Sequence, residues 1–158
     1  MPLNLPANFK NDIAGRDTAL FPVIRIGDES DDPIWISTNS TSFPNALIIL
    51  PILLNVPSLK ESIDIEKRNY KISSINIDIS NFPYEGKRFS ELIADKSLIN
   101  TEIRIFWVSP SVTNINLIDV AISSDTAIGD HWAFQIFFGS VRRYTHDDEK
   151  VRLVVEDR

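Results

Sequence analysis

The C-terminal stretch Phe137–Arg158, "FFGSVRRYTHDDEKVRLVVEDR", decides the fold class of this chain. Val151, Leu153 and Val155 alternate with mostly charged neighbours, and a period of two is typical of a strand with one buried face. The acidic residues at 145–149, "THDDE", separate this strand from the apolar run that precedes it. The stretch therefore predicts a β-hairpin around a solvated turn.

The same alternation recurs upstream of this hairpin, and β-branched residues, isoleucine above all, dominate the chain. The pattern predicts strands at 20–26, 33–38, 46–56, 59–66, 70–80, 101–109, 115–122, 131–144 and 149–156. A short apolar stripe predicts one short helix at 88–96. Together these elements predict a mainly β fold, a barrel or sandwich of about eight or nine mostly antiparallel strands with one short helix.

Turn and bulge signals refine this prediction. The loop "GDESDD" (27–32) predicts a hairpin between the first two strands, and "EKRN" (66–69) predicts a second hairpin. Ser73–Ser74 is a predicted bulge or strand start, Gly139 is a predicted bulge, and Ser90 is a candidate helix cap.

The chain is 158 residues long, which suits one domain. The proline-punctuated residues 1–19 predict a loosely ordered N-terminal arm, and residues 20–158 predict a single β-domain. The final strand stops abruptly at "VVEDR" (154–158), so we expect the natural chain to continue into a longer one. The apolar run 46–56 is interrupted by Pro51 and is about half the length of a membrane-spanning helix.

Composition and motifs disfavour several functions. The net charge of −6 argues against general nucleic-acid binding, and the absence of cysteine excludes thiolate zinc sites and thiol nucleophiles. The chain has no nucleophile elbow and no glycine-rich phosphate loop, and the acidic clusters at 28–32 and 145–149 are interpreted as solvated turns rather than metal sites. We therefore predict no enzymatic activity, no metal and no cofactor.

The apolar run 46–56 is hydrophobic on both parities, which predicts a strand that is buried on two sides or meets a partner chain. The C-terminal hairpin is the most basic place in the chain, and its arginines are predicted to pair with carboxylates across strands or across a subunit boundary. The candidate subunit-contact residues are Leu47, Ile48, Ile49, Leu50, Ile52, Leu53, Arg142, Arg143 and Arg152.

The three tryptophans suggest an alternative function. Trp107 and Trp132 lie on apolar faces of strong strand patterns, which favours core packing. Trp35 lies near the acidic loop and is the best candidate for an exposed ring that stacks on a sugar. It is the candidate ligand-binding residue of a non-enzymatic carbohydrate- or receptor-binding β-module.

Several stretches read together carry a family resemblance: 46–81, "GKRFSELI" (86–93), "TEIRIFWVS" (101–109), "FQIFFGSVRRY" (134–144) and "EKVRLVVEDR" (149–158). A "F-x-G-x-V" step leads into a hairpin whose second strand reads "V-x-L-x-x-x-D". The step is formed here by Phe137 or Phe138, Gly139 and Val141, and the second strand by Val151, Leu153 and Asp157. These stretches resemble the β-rich modules at the end of bacteriophage tail tubes, in baseplate-hub or distal-tail positions.

The resemblance implies a virion component that is made in the host cytoplasm and forms a homo-oligomeric ring around the tail channel. It also implies contacts with other phage tail proteins and a longer chain after Arg158. A net acidic chain suits the wall of a channel through which DNA passes without specific binding.

Overall fold

The structure is a computed structural model, which describes residues 7–15, 19–28, 32–39, 48–56, 58, 63–64, 69–70, 74–109 and 134–157. These residues form the helices α1 (Ala7–Ala14) and α2 (Phe89–Leu92). The strands are β1 (Phe21–Ile26), β2 (Ile34–Ser37), β3 (Ile49–Leu50), β4 (Ile63–Asp64), β5 (Asn69–Tyr70), β6 (Ser74–Ser80), β7 (Glu102–Val108), β8 (Phe134–His146) and β9 (Lys150–Asp157).

Seven strands form one curled sheet in the order β3-β2-β1-β7-β8-β9-β6, with the shape of a half-barrel. Its neighbouring strands are antiparallel except β2 and β3, which are parallel. The mainly β prediction is thus confirmed. The predicted hairpin between β1 and β2 is present, and the C-terminal hairpin is formed by β8 and β9.

The strand set differs from the prediction in two regions. Within the described part of the predicted strand 46–56, only Ile49–Leu50 form a strand. The predicted strand 70–80 is divided: β5 pairs with β4 in a separate two-stranded sheet, whereas β6 begins at Ser74 and joins the main sheet beside β9. The predicted strand at 115–122 lies outside the described residues, and so does Trp132.

The segment Ile49–Leu54 hydrogen-bonds to β2, near one end of the sheet, and to β6, at the other end. Its first two residues are β3, beside β2, and the N–H of Leu53 donates to the carbonyl of Ser37 at 3.0 Å. Two residues around Leu53 bond to β6: the N–H of Leu54 donates to Asp78 O at 2.9 Å, and Ile52 O accepts from Ser80 N at 2.8 Å. The backbone of this segment is therefore held on both sides.

The main core lies on one face of the sheet, where apolar residues from most strands meet. It is built from Ile24, Ile26, Ile36, Ile52, Leu53, Ile75, Ile77, Ile79, Phe89, Ile93, Leu98, Ile103, Ile105, Phe137, Val141, Val151, Leu153 and Val155. The predicted inward faces of β6 and β9 are confirmed, because their burial alternates residue by residue.

A second core lies on the opposite face of the sheet at β1, β2 and β7. It contains Val23, Trp35, Ile49, Phe106 and Val108. Consequently β1 is buried on both faces from its second residue onward. The β6–β9 part of the sheet, by contrast, is buried on one face and open on the other.

The predicted bulge at Gly139 is wrong, and two register shifts flank that position instead. Ile136 is the extra residue opposite β7, and Arg142 is the extra residue opposite β9. Gly139 itself stays in register, opposite Ile103 and Asp157. Its lack of a side chain matters for space, because an added Cβ would overlap the carbonyl oxygen of Glu156 and lie 2.7 Å from Cε1 of Phe137.

The helices also differ in part from expectation. Residues 7–14 of the predicted arm form α1, which the sequence pattern did not predict. α2 is shorter than the predicted stretch, and its N-cap is Arg88 rather than Ser90. The Glu91 carboxylate accepts from Arg88 N at 2.9 Å, so the first turn is closed by this contact. In the part of the chain described, neither helix has the length and apolar character of a transmembrane segment.

Candidate interaction surface

The C-terminal hairpin and its neighbour β6 carry mostly polar side chains on the face of the sheet opposite the main core. We call this surface the hairpin face. Side chains alternate along a strand, so every second residue of β6 and β9 points to this side, opposite the main core. The hairpin face consists of Asn76, Asp78, Ser80, Arg142, Arg143, Thr145, Lys150, Arg152, Val154 and Glu156.

The register arranges these side chains in rows across the strands. Asp78 of β6 lies opposite Arg152 of β9, which lies opposite Thr145 of β8. Asn76 lies opposite Val154 in the next row, and Val154 lies opposite Arg143. Directly opposed residues are close enough for their side chains to interact.

The central row is held by a bidentate ion pair. Arg152 Nε donates to Asp78 Oδ1 at 2.6 Å, and Nη2 donates to Oδ2 at 3.0 Å. This hydrogen bonding by Arg152 holds the pKa of the Asp78 carboxyl below its usual value, and Asp78 in turn raises the pKa of Arg152. The two planar groups are thereby fixed in one orientation.

A second ion pair lies at the far end of the face. Arg142 Nε donates to Glu156 Oε2 at 2.9 Å, and Arg142 Nη1 contacts Asn100 Oδ1 at 3.4 Å. The prediction that Arg142 and Arg152 pair with carboxylates across strands is confirmed. The sequence also predicted that the hairpin lies at the edge of the sheet. This is wrong, because β6 lies beside β9.

Two cations of the hairpin face, Arg143 and Lys150, form no ion pair with any residue that the structure describes. The face carries four basic residues and two acidic residues, which gives a local charge of +2 on a chain whose net charge is −6. Because the pairs of Arg142 and Arg152 neutralise the two acids, the excess positive charge resides on Arg143 and Lys150.

The acidic turn at 147–149 is a structural turn, as predicted. Oδ1 of Asp147 accepts from the N–H groups of Glu149 and Lys150, each at 2.8 Å. The hydrogen bond from the Lys150 N–H lowers the pKa of the Asp147 carboxyl most, and the bond from the Glu149 N–H lowers it further. Within the described ranges, no cluster of three or more acidic or histidine side chains is arranged to hold a metal ion.

The turn is fastened to the rest of the domain by Asn81, a buried residue just after β6. Asn81 Nδ2 donates to Asp147 O at 2.7 Å, and Asn81 Oδ1 accepts from Ser90 N in α2 at 3.0 Å. The backbone N–H of Asn81 also donates to Glu149 O at 2.9 Å. One side chain therefore connects β6, α2 and the hairpin turn, which limits the movement of the hairpin face.

A second candidate surface comes from the apolar segment 48–56. Ile48 is 73% exposed, and Leu54 and Val56 are 56% and 49% exposed. Leu54 is placed beside the hairpin face by its backbone bond to Asp78. Leu54 and Val56 were missed by sequence reasoning, because the continuous apolar run gives no signal for which side chains are left outside.

Three predicted contact residues of this segment need correction. Ile49, Ile52 and Leu53 are buried within the chain's own core and cannot contact a neighbour of the folded subunit. Ile49 packs in the second core while the other two pack in the main core, so the strand is buried on two sides by its own chain. Leu50 is half-buried, and Leu47 lies outside the described residues.

The expectation that Trp35 presents an exposed ring is wrong. Trp35 is 5% exposed and stacks on Phe106, with 6.1 Å between the ring centroids. Trp35 lies near the acidic loop in the sequence, but its strand is buried on both faces and its ring packs in the second core. Trp107, predicted to lie in the core, is only half-buried.

Beside this aromatic pair lies a buried ionic cluster that the sequence pattern did not indicate. Arg25 is 3% exposed, and its Nη2 donates to Glu102 Oε1 at 2.6 Å. Arg104 Nε donates to the same oxygen at 2.7 Å, and its guanidinium lies 4.8 Å from the centre of the Phe138 ring. The cluster lies beside the second core, with Arg25 buried and Glu102 and Arg104 partly exposed, and it connects β1 with β7.

Comparison with protein-family models finds no match for this chain, and a search of curated proteins finds no relative.

Proposed function

We propose that this chain is a structural, non-enzymatic subunit of a bacteriophage tail end, in a baseplate-hub or distal-tail position. In this proposal it is made in the host cytoplasm, resides in the virion tail and forms a homo-oligomeric ring around the tail channel. Its partners are other copies of itself and other phage tail proteins. DNA passes through the channel without specific binding, in keeping with the net charge of −6.

The observation that carries the proposal is the exposure of Ile48, Leu54 and Val56. These residues lie in or beside the segment Ile49–Leu54, whose backbone is hydrogen-bonded to strands on both sides. Single exposed aliphatic residues are ordinary on a monomer, but neighbouring ones on a rigid support favour contact with another protein. The sequence resemblance supports the same function independently.

The alternative of a carbohydrate- or receptor-binding module has no comparable support. It depended on an exposed ring at Trp35, and that ring is stacked inside the second core. No specific observation assigns this ligand-binding role to another described residue.

The proposal is tested by the mass of the purified chain across a range of concentrations, with negative-stain electron microscopy of the assembled fraction. We expect ring-shaped oligomers, and we expect Leu54→Glu to raise the concentration needed for assembly. Ile99→Glu is the matched control, since Ile99 is 43% exposed but lies between α2 and β7. A chain that stays monomeric at every concentration and is absent from purified tails would contradict the proposal.

A further inference from the structure

A small polar cavity lies at the turn end of the C-terminal hairpin. Its volume is about 100 Å³, which is larger than the roughly 30 Å³ that one water molecule occupies in the liquid. A group of several atoms can therefore enter the cavity. The residues that line it are Thr145, His146, Asp147, Lys150 and Arg152.

The backbone around the cavity is held in place. Asp147 N donates to Lys150 O at 3.0 Å and closes the turn between β8 and β9. The side chain of Asn81 fastens the same turn by donating to Asp147 O at 2.7 Å. Lys150 and Arg152 are two residues apart in β9, so their side chains leave the same face of the strand about 7 Å apart. Thr145 lies directly opposite Arg152.

Hydrogen-bond donors dominate the lining of the cavity. The Lys150 ammonium carries three N–H groups, and the Thr145 hydroxyl and the His146 imidazole can each donate as well. Arg152 uses Nε and Nη2 to bind Asp78, which fixes the guanidinium, whereas Nη1 takes part in neither bond and remains a donor. Because two of these donors are cationic, the lining favours an anion with several acceptor oxygens.

Asp147 supplies an acceptor and narrows the choice of anion. Of the acidic residues 147–149, it alone lines the cavity. Its Oδ1 accepts from the N–H groups of Glu149 and Lys150, each at 2.8 Å, so Oδ2 is the oxygen left for a ligand. An ionised carboxylate repels a fully deprotonated anion but accepts a hydrogen bond from a P–OH group.

We propose that this cavity binds a phosphate group that keeps a proton, with Lys150, Arg152 and Thr145 donating to its oxygens and Asp147 accepting its P–OH. Sulfate has the same tetrahedral shape but carries no proton near neutral pH, so it meets the charge of Asp147 without a hydrogen bond. All five lining residues are exposed, so the rest of a phosphomonoester can extend into solvent. The site does not depend on the proposed tail function.

Titration of the full chain with inorganic phosphate, followed by amide NMR spectra at constant ionic strength, tests the site. We expect saturable shifts centred on residues 145–152, with a Kd on the order of 1 mM, and sulfate binding about tenfold weaker or less. Lys150→Gln should weaken phosphate binding about tenfold. Arg143→Gln is the matched control, because it removes one positive charge from the same face outside the cavity and should bind like wild type.

Asp147→Asn tests the class of anion. Asparagine keeps Oδ1 for the turn but replaces Oδ2 with an N–H donor, so sulfate should gain affinity and the difference between the two anions should disappear. Glycerol 3-phosphate is titrated in parallel to distinguish the sources of the phosphate group. Binding of this ester supports a phosphorylated molecule as the ligand, whereas binding of inorganic phosphate alone supports the free ion.

Several results would overturn the proposal. Sulfate that binds wild type as tightly as phosphate would show that Asp147 accepts no proton from the ligand. Equal phosphate affinities of wild type and Lys150→Gln, or equal weakening in Arg143→Gln, would place the attraction outside the cavity. Shifts that do not saturate with either phosphate or its ester would remove the site. The same spectra show whether each variant is folded.

Discussion

Arg152 of β9 and Asp78 of β6 form two parallel hydrogen bonds, at 2.6 and 3.0 Å, across the open face of the sheet. The residues are 74 positions apart in the chain, so their pairing fastens the middle of the sequence to its C-terminal strand. Because this pairing stabilises the carboxylate form of Asp78, it makes folding stability depend on pH.

The first prediction concerns acid stability. The folded-state pKa of Asp78 is below the unfolded value of 3.8, so its contribution is present above pH 3.8 and is lost as the pH falls through the folded pKa. Asp78→Asn should lower the stability at neutral pH and flatten its decline below about pH 4. Urea unfolding midpoints between neutral and acidic pH measure this. Asp95→Asn, an exposed control, should keep the slope of wild type.

The second prediction concerns the ionic cluster beside the second core. Glu102→Ala deprives Arg25 and Arg104 of a shared carboxylate inside the protein, so we expect a loss on the order of 3 kcal/mol in the free energy of unfolding. Glu156→Ala removes the exposed partner of Arg142 and should cost about 1 kcal/mol or less. The free energies of unfolding are measured by chemical denaturation. Equal losses in Glu102→Ala and Glu156→Ala would show that the cluster around Glu102 stabilises the fold no more than the exposed pair does.

The third prediction concerns space at Gly139. Alanine would force its Cβ against the Glu156 carbonyl and the Phe137 ring, and we expect a destabilisation of about 3 kcal/mol. Gly86 provides the comparison: its φ is +83° with no atom close to an added Cβ, and asparagine tolerates this region. Thermal denaturation of Gly139→Ala and Gly86→Asn should therefore separate the two variants clearly. A Gly139→Ala protein as stable as wild type would overturn the packing argument.

The fourth prediction concerns Asn81. Asn81→Ala leaves Ser90 N and Asp147 O without their side-chain partner, which should cost about 1–3 kcal/mol. The loosened hairpin turn should also exchange its amide hydrogens faster, and hydrogen exchange of residues 147–150 measures this. Asn76→Ala, on the open face of β6, is the control, and we expect it to change neither quantity appreciably. Unchanged exchange in Asn81→Ala would mean that the turn is held by other contacts.

Local alternation was sufficient to predict the strands that have one open face. Ile75, Ile77 and Ile79 of β6 all point inward as the pattern required. The burial of Trp35 and Arg25 was not predicted, since both lie on the face opposite the main core and that face is also buried. Whether a second layer covers a strand depends on distant residues, and alternation along the strand carries no information about them.

The candidate surface was predictable to a similar extent. Pairing of Arg142 and Arg152 followed from residue type and the hairpin, but their partners, Glu156 and Asp78, required the register. The bulge at Arg142 was assigned to Gly139 because a glycine in a strand is the usual signal for one. The steric reason for that glycine comes from Glu156 in the neighbouring strand, which no local pattern shows.

The position of β9 between β8 and β6 has a consequence for how the chain folds. β6 is synthesised long before β9, its neighbour in the sheet. β9 is the last of the described elements to leave the ribosome. Until then, the inward isoleucines of β6 lack the valines and leucine of β9 that cover them. We expect slow folding that is limited by this long-range pairing, with a nascent chain that depends on chaperones until the final hairpin inserts.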